Sequence, residues 1–448
     1  MKRTSTRGLL VCVAFALASV FSGTPAVAQP ARTALMHGFA DMTSITLWMQ
    51  TDAPARIEVE FNPENDPGAK RRVAAETRAA DDFVAHLRLA NLAPGTAYAY
   101  RVFRDGAPAP LAPGRFKTQP LWQFRGDPPE FNVAIGSCAH LQDAYERPAS
   151  TWGADYRAYD AIAAKTPDLM LWLGDNIYLR EPEWTSLEGM SARYRASRFQ
   201  PALENLLRAT SHVAIWDDHD FGPNDSDGSF VGKANALAAF KRYWPNPTFG
   251  LPETPGVFTQ VSYGDADFFL LDNRYYRYPN RYPPTPDKAM FGAAQLDWLK
   301  RALVASNATF KIVAAGGQFW NARNNYEALH KFPAEHAALL EWITAQRIRG
   351  VVFLSGDRHF GSLLRIPRPG TYPLFEFTSS PLTAGVFTNP PESERANPDL
   401  VAGTLVLERN FGMLRFAGPG GARTLTLEAY DWNGALRWRH ILPAAELR

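Results

Sequence analysis

Cysteine is nearly absent: two of 448 residues are Cys, Cys12 and Cys138. Cys12 lies in a stretch that reads as a leader, so the mature chain offers no intrachain disulfide and a disulfide-stapled scaffold is excluded. Runs of one charge sign are missing too. The 47 Lys and Arg face 45 Asp and Glu, a formal net charge of +2, and without a basic stretch there is no electrostatic case for nucleic acid or an anionic membrane as partner. Beyond residue 28 no apolar run is long enough to span a bilayer. The chain holds no G-x-S-x-G, no P-loop and no H-E-x-x-H, which argues against serine hydrolases, NTPases and zinc proteases. With 46% hydrophobic and 21% charged residues, composition is ordinary for a globular protein.

The first thirty residues have the parts of a secretory signal peptide. Lys2, Arg3 and Arg7 form a basic start, Leu9 to Val20 an apolar middle, and Ala26-Val27-Ala28 a small-residue cleavage site. Removing residues 1–28 takes away three positive charges, moving the formal net charge from +2 to 2 − 3 = −1. The expectation is an exported, monomeric bacterial protein, periplasmic or extracellular, with no transmembrane segment. Cys138 remains as an unpaired thiol, which is either a small buried apolar residue or a metal ligand.

Residues 31–118 read as a small all-β sandwich. Short alternating segments such as "SITLWMQ", "ARIEVEF" and "FVAHLRLA" are split by Pro, Gly and Asp clusters. "LANLAPGTAYAYRVF" resembles the strand-corner pattern of fibronectin type III-like domains, with Tyr98 and Tyr100 expected in the core, their hydroxyls on backbone groups. From residue 130 to 445 the pattern is α/β. Apolar runs end abruptly in polar residues ("FNVAIGSCAH", "DLMLWLGDNIY", "HVAIWDDHD", "DFFLLDNRYY", "FKIVAAGGQFW", "GVVFLSGDRHFG"), and helical periodicity lies between them. "FGMLRF" and "TLTLEAYDWNGALRWRHIL" read as strands that complete a sheet of this domain, with Asn433-Gly434 as a hairpin turn.

The polar bursts carry the chemistry. In open α/β sheets functional groups gather beyond the carboxyl ends of strands. Here four such ends supply Ser137, Cys138 and His140; Asp175, Asn176 and Tyr178; Asp217, Asp218, His219 and Asp220; and Asp357 and His359. Asp217, Asp218, Asp220, Asp225 and Asp227 fall within eleven positions with no Lys or Arg among them. Carboxylates so close resist burial unless a cation joins them. Oxygen donors suit Ca²⁺, Mn²⁺ or Mg²⁺, and a thiolate with a phenolate favours iron, so a multinuclear metal site is expected. Other roles stay open: a core position for Tyr178, an orienting role for His219, pairing of Arg274 with Asp272, loop-shaping turns for Asp217, Asp225 and Asp227, and exposed positions for His140, His330 and His336.

"GSCAH", "LGDNIY", "WDDHDFGPND", "LDNRYYR" and "SGDRHFG" resemble the successive motifs of the PhoD-like alkaline phosphatases of the metallophosphoesterase superfamily. The resemblance implies a layered α/β sandwich with helices flanking two central sheets, and a secreted phosphate ester hydrolase acting on small or polymeric esters. It implies Fe³⁺ with one or two Ca²⁺, Mn²⁺ or another divalent ion being the alternative. By position, Cys138, Asp175, Tyr178 and Asp357 match iron-side ligands, with Asp175 bridging. Asn224 and His359 match the calcium side or its surroundings, and Asp218 a further ligand. Arg274 matches an arginine facing the substrate phosphate, and His219 is placed to protonate the leaving alkoxide. Leu179 stands where an acidic residue is frequent, and "DDHD" where "DDHE" is often seen. The rival reading is a secreted calcium-binding adhesive or carbohydrate-binding protein; a hydrolase of another ester, such as a lactone, is a third.

Overall fold

The computed structural model describes residues 31–448 apart from 123, 144–145, 147–152 and 154; the signal peptide expected over 1–28 lies outside them. Strands β1 (Thr33–Ala40), β2 (Ile45–Thr51) and β5 (Val84–Leu89) make one antiparallel sheet. A second contains β3 (Ala55–Pro63), β4 (Arg71–Thr77), β6 (Ala97–Arg104), β7 (Ala107–Pro108) and β8 (Gly114–Lys117). Alternation drives their packing: Ile57, Val59 and Phe61 of β3 share one apolar core with Leu47 and Met49 of β2 and with Tyr98, Tyr100 and Val102 of β6. Tyr98 accepts a backbone bond from Ala93 N–H at 2.7 Å. Tyr100 departs from expectation, since its hydroxyl meets the His37 ring nitrogen at 2.9 Å instead of a backbone group.

Two six-stranded sheets follow. The first has the order β11 (Ser211–Ile215), β10 (Leu169–Leu173), β9 (Phe131–Gly136), β18 (Asn410–Ala417), β19 (Thr424–Asp431), β20 (Leu436–Pro443). The second runs β12 (Thr259–Tyr263), β13 (Ala266–Leu270), β14 (Phe310–Ala314), β15 (Val351–Ser355), β17 (Leu374–Thr378), β16 (Ser362–Ile366). β9, β10 and β11 are parallel, as are β13, β14, β15 and β17. Their apolar runs are buried along their length because both faces are covered. Aromatic contacts join the sheets: Phe416 of β18 stands 5.5 Å from Phe310 of β14, and Phe377 of β17 stands 4.7 Å from Trp438 of β20. The β18–β20 strands complete the first sheet as expected, with Gly434 (φ +85°) closing the hairpin.

Helices α1 (Arg157–Ala164), α2 (Leu187–Arg198), α3 (Pro201–Ala209), α4 (Asp218–Phe221), α5 (Lys233–Tyr243), α6 (Ala293–Ala305), α7 (Pro333–Ala345) and α8 (Glu392–Arg395) lie among the strands. α3 packs against both β11 and β1, so it bridges to the N-terminal sandwich. Trp48 strengthens that contact: it is fully buried, and its indole N–H donates to the Arg242 carbonyl at 2.8 Å. The α/β layers and the preceding all-β sandwich are those read from the sequence. Among the described residues no helix is long and apolar enough to cross a membrane.

Candidate metal centre

The parallel strands point their carboxyl ends to one place. β9 runs into Cys138, β10 into Asp175, β11 into Asp217 and Asp218, β15 into Asp357 and His359, and β17 into Ser379 and Ser380. Close approach requires glycine there: a Cβ at Gly174 (φ +93°) would lie 2.7 Å from Asp217 Cβ, and one at Gly316 2.5 Å from Asp217 Cγ. Strain marks the same spot. Cys138 (φ 58°), Asp175 (φ 50°), Asp357 (φ 66°) and His359 (φ 56°) are left-handed without being glycine, at about 1–2 kcal/mol each, somewhat less for Asp. Neighbouring loops hold them there: Cys138 N–H bonds to Gly174 O at 3.2 Å, Ala384 N–H to Cys138 O at 3.1 Å, and His359 N–H to Ser380 Oγ at 2.9 Å. Such strain clusters where a site over-determines its backbone.

Three donor groups form a chain. Cys138, Asp175 and His359 offer ligand atoms within 4.8 Å of one another; so do Asp175, Asp218 and His219; so do Asp218, Asp225 and Glu327. Asp175 joins the first to the second and Asp218 the second to the third. Tyr178 belongs to the first: its hydroxyl lies 3.4 Å from Asp175 Oδ2 and 3.2 Å from His359 Nε2, and Asp175 Oδ2 is 3.5 Å from Cys138 Sγ. The Tyr178 ring stacks on His219 at 4.2 Å and meets His140 edge-on at 5.0 Å.

Burial pushes the Asp175 and Asp357 carboxyls well above the usual range, and neighbouring carboxylates add to it. The Cys138 thiol and Tyr178 phenol are likewise pushed up by burial. Asp218 goes the other way: burial would raise it, but His219, Arg274 and the Asp225 N–H outweigh that and hold it low. The cation that answers the acidic burst is Arg274, from the loop after β13. It is fully buried, with Nε 2.5 Å from Asp217 Oδ1, Nη2 2.5 Å from Glu327 Oε2 and Nη1 3.1 Å from Ser226 O. Arg274, with Arg277 sharing Glu327 at 2.9 Å, does not balance the set. Asp217 Oδ2, Asp218 Oδ1 and Asp357 Oδ2 are buried with no hydrogen-bond partner among the described residues. Orphaned carboxylate oxygens beside a thiol, a phenol and imidazoles are a donor set that fits cations of mixed hardness.

The structure therefore draws Cys138, Asp175, Tyr178, Asp218, His219 and His359 together. Asp357 stands at the same strand ends with one oxygen orphaned. Asn224 is solvent-exposed on its loop, and it is the neighbouring Asp225 that reaches the third donor group. The Arg274 guanidinium pairs with Asp217 and Glu327 and not with Asp272, whose Oδ1 accepts the Arg274 backbone N–H at 2.9 Å. His140 is 5% exposed and bonds Arg180 at 2.8 Å, contrary to an exposed loop position, because it is enclosed between Tyr178 and Arg180. Sequence reasoning missed Glu327 and also Ser380, whose hydroxyl reaches Cys138 Sγ at 3.1 Å. The run "FTSSPLTAG" after β17, one more apolar strand ending in small polar residues, is the signal that points to Ser380.

Two facing α/β sheets with such a donor cluster at their strand ends define a metallophosphatase-type phosphoesterase. The PhoD-like phosphatase family model matches residues 133–413, and the chain belongs to that family. Residues 35–120 match a separate domain family of unknown function, DUF7800. Alkaline phosphatase D of Bacillus subtilis (strain 168) is 25% identical over 436 residues, covering 85% of this chain and 71% of that protein. A solved structure of PhoD matches with TM-score 0.75 at 19% identity, over 92% of this chain and 88% of that one. A purple acid phosphatase from yellow lupin (Lupinus luteus) seeds matches with TM-score 0.65 at 13% identity, over 92% and 74%. At these identities the two structures speak for the fold alone.

Proposed function

We propose that this phosphoesterase is an exported, monomeric alkaline phosphatase or phosphodiesterase with an iron–calcium centre, its signal peptide removed after Ala28. The observation that carries the reading is the chain of three donor groups sharing Asp175 and Asp218. Cys138, Asp175, Tyr178 and Asp357 would hold Fe³⁺, the thiol and phenol exchanging their protons for the cation. Asp175 and Asp218 would serve Ca²⁺, with Asp225 and Glu327 completing that side through oxygen donors, Asn224 lying at its exposed edge and His359 on the Cys138 side of Asp175. When bound, such ions supply the Lewis acidity that activates water and neutralises charge on the phosphoryl oxygens.

The remaining work falls to the chain's own side chains. His219, partly exposed and stacked on Tyr178, is positioned to give a proton to the departing alkoxide. Arg274 acts as a positioning residue instead of a phosphate ligand: its nitrogens already hold Asp217, Glu327 and Ser226 O, so it keeps the carboxylates pointed inward. The test is His219→Asn in metal-loaded protein, assayed on a nitrophenyl monoester and a less activated alkyl ester. A proton-donor role predicts a loss of about 10²-fold on the alkyl ester, a smaller loss on the nitrophenyl ester, and unchanged metal content. Equal losses accompanied by metal loss would make His219 a ligand; no hydrolysis of either ester by the wild type would remove the function.

A further inference from the structure

Arg358 sits between Asp357 and His359, yet its guanidinium lies among aromatic rings. It stands 4.9 Å from the centre of Tyr326, 5.2 Å from Phe360 and 5.8 Å from Phe387. Glu394 Oε1 anchors it at 2.5 Å, and both side chains are buried. Tyr326 meets Phe387 edge-on at 6.1 Å. The backbone of each ring is tied down as well: Tyr326 N–H bonds to Asn324 Oδ1 at 2.8 Å, and Phe387 N–H to His359 O at 2.9 Å. A side chain held this firmly ordinarily sinks into the core. Tyr326 instead keeps 52% of its surface exposed, next to exposed Asn325, while Asn324 and Glu327 are buried.

The place matters more than the exposure. Tyr326 adjoins Glu327 of the third donor group, and Phe387 is bonded to His359 of the first. The open ring is thus next in sequence to one donor group and packs on a ring whose backbone is bonded to another, while no metal-ligand role calls for it. A tyrosine with a cation and a second ring behind it is a rigid stacking surface with little rotamer entropy left to lose. We propose that Tyr326, backed by Arg358 and Phe387, stacks against a planar heteroaromatic ring of the substrate, so that nucleoside phosphate esters are preferred over esters of ring-free alcohols. This rests on the phosphoesterase reading of the neighbouring centre.

The test compares adenosine 5′-phosphate with ribose 5-phosphate, or their methyl diesters if only diesters turn over, since each pair shares its ester bond and differs in the base alone. The wild type should favour the nucleotide by roughly tenfold in kcat/KM, mainly through KM, and Tyr326→Leu should bring that ratio close to one. Phe387→Leu should lower the ratio less. A wild-type ratio near one, or a ratio unchanged by Tyr326→Leu, would overturn the proposal and leave Tyr326 a cover over Arg358. Free adenosine separates this from failure of the hydrolase reading: protein inactive on every ester should still bind adenosine, and lose that binding in Tyr326→Leu, if the stacking surface exists. Absence of adenosine binding to the wild type would also overturn it.

Discussion

The two ends of β13 each carry a buried ion pair, and they are built to opposite plans. Before the strand, Asp265 meets Arg423 with both side chains fully buried, Nη2 to Oδ1 at 2.7 Å and Nε to Oδ2 at 3.1 Å. The remaining donors of Arg423 go to Gly418 O at 3.0 Å and Pro129 O at 2.6 Å. One charge answers one charge there. After the strand, Arg274 answers Asp217 and Glu327 and stands 3.7 Å from Asp218, with Arg277 sharing Glu327 at 2.9 Å. Asp175, Asp225 and Asp357 have no such partner among the ion pairs found in the described residues. A closed pair ties the sheets together, whereas an unbalanced cluster leaves negative charge that only a further cation can answer.

This contrast can be broken. The largest effect is expected for Asp175→Asn, which removes the carboxylate shared by two donor groups and should lower kcat/KM by about 10³-fold or more, with bound metal lost in parallel. Ordinary rates with full metal content would show that the sharing has no consequence. At the other end of β13, Arg423→Met should cost about 3–5 kcal/mol by leaving Asp265 buried and unpaired. Replacing both partners together (Asp265→Leu with Arg423→Met) should return most of that loss and keep the metal content of the wild type. A denaturation series in which the double variant is no more stable than the single one would end the idea of a purely structural pair.

A smaller effect concerns Glu376 on β17, which accepts N–H bonds from Phe319 and Trp320 at 2.8 Å each. Burial outweighs those bonds and pushes its carboxyl from 4.5 up to about 7. The folded state therefore binds this proton more tightly than the unfolded chain does. The resulting stability is fully present below the unfolded value of 4.5 and is lost as pH rises through about 7. Between those values it declines by up to about 1.4 kcal/mol per pH unit. Glu376→Gln should flatten that part of the stability profile relative to wild type, and parallel profiles would refute the assignment.

Much of this was legible in the chain because covered parallel strands leave a plain mark: an apolar run that stops at a polar residue. "LMLWLGD" and "VVFLSGD" place Asp175 and Asp357 by that rule, and "GSCAH" places Cys138. What escaped has no strand behind it. Glu327 lies in "NNYEALH", on a loop well past β14, and only the fold carries it to Arg274. Arg274 was visible as a charge, but its partners are chosen by packing between loops 57 and 53 positions apart in the chain. His140 looked like a loop residue because nothing local says that Tyr178 and Arg180 will close over it. α2 was also hard to see, since "LEGMSARYRASR" buries Arg193 and Arg198 along with Met190 and Tyr194 and so lacks a clean apolar stripe.

The most direct check is elemental analysis of the metal-replete protein beside its Cys138→Ala variant. Iron together with calcium, more than one ion per chain, should be found in the wild type, with iron and hydrolysis lost in the variant while its far-UV spectrum is retained. Calcium alone in the wild type, or undiminished iron and turnover in Cys138→Ala, would contradict a mixed-donor centre at these strand ends.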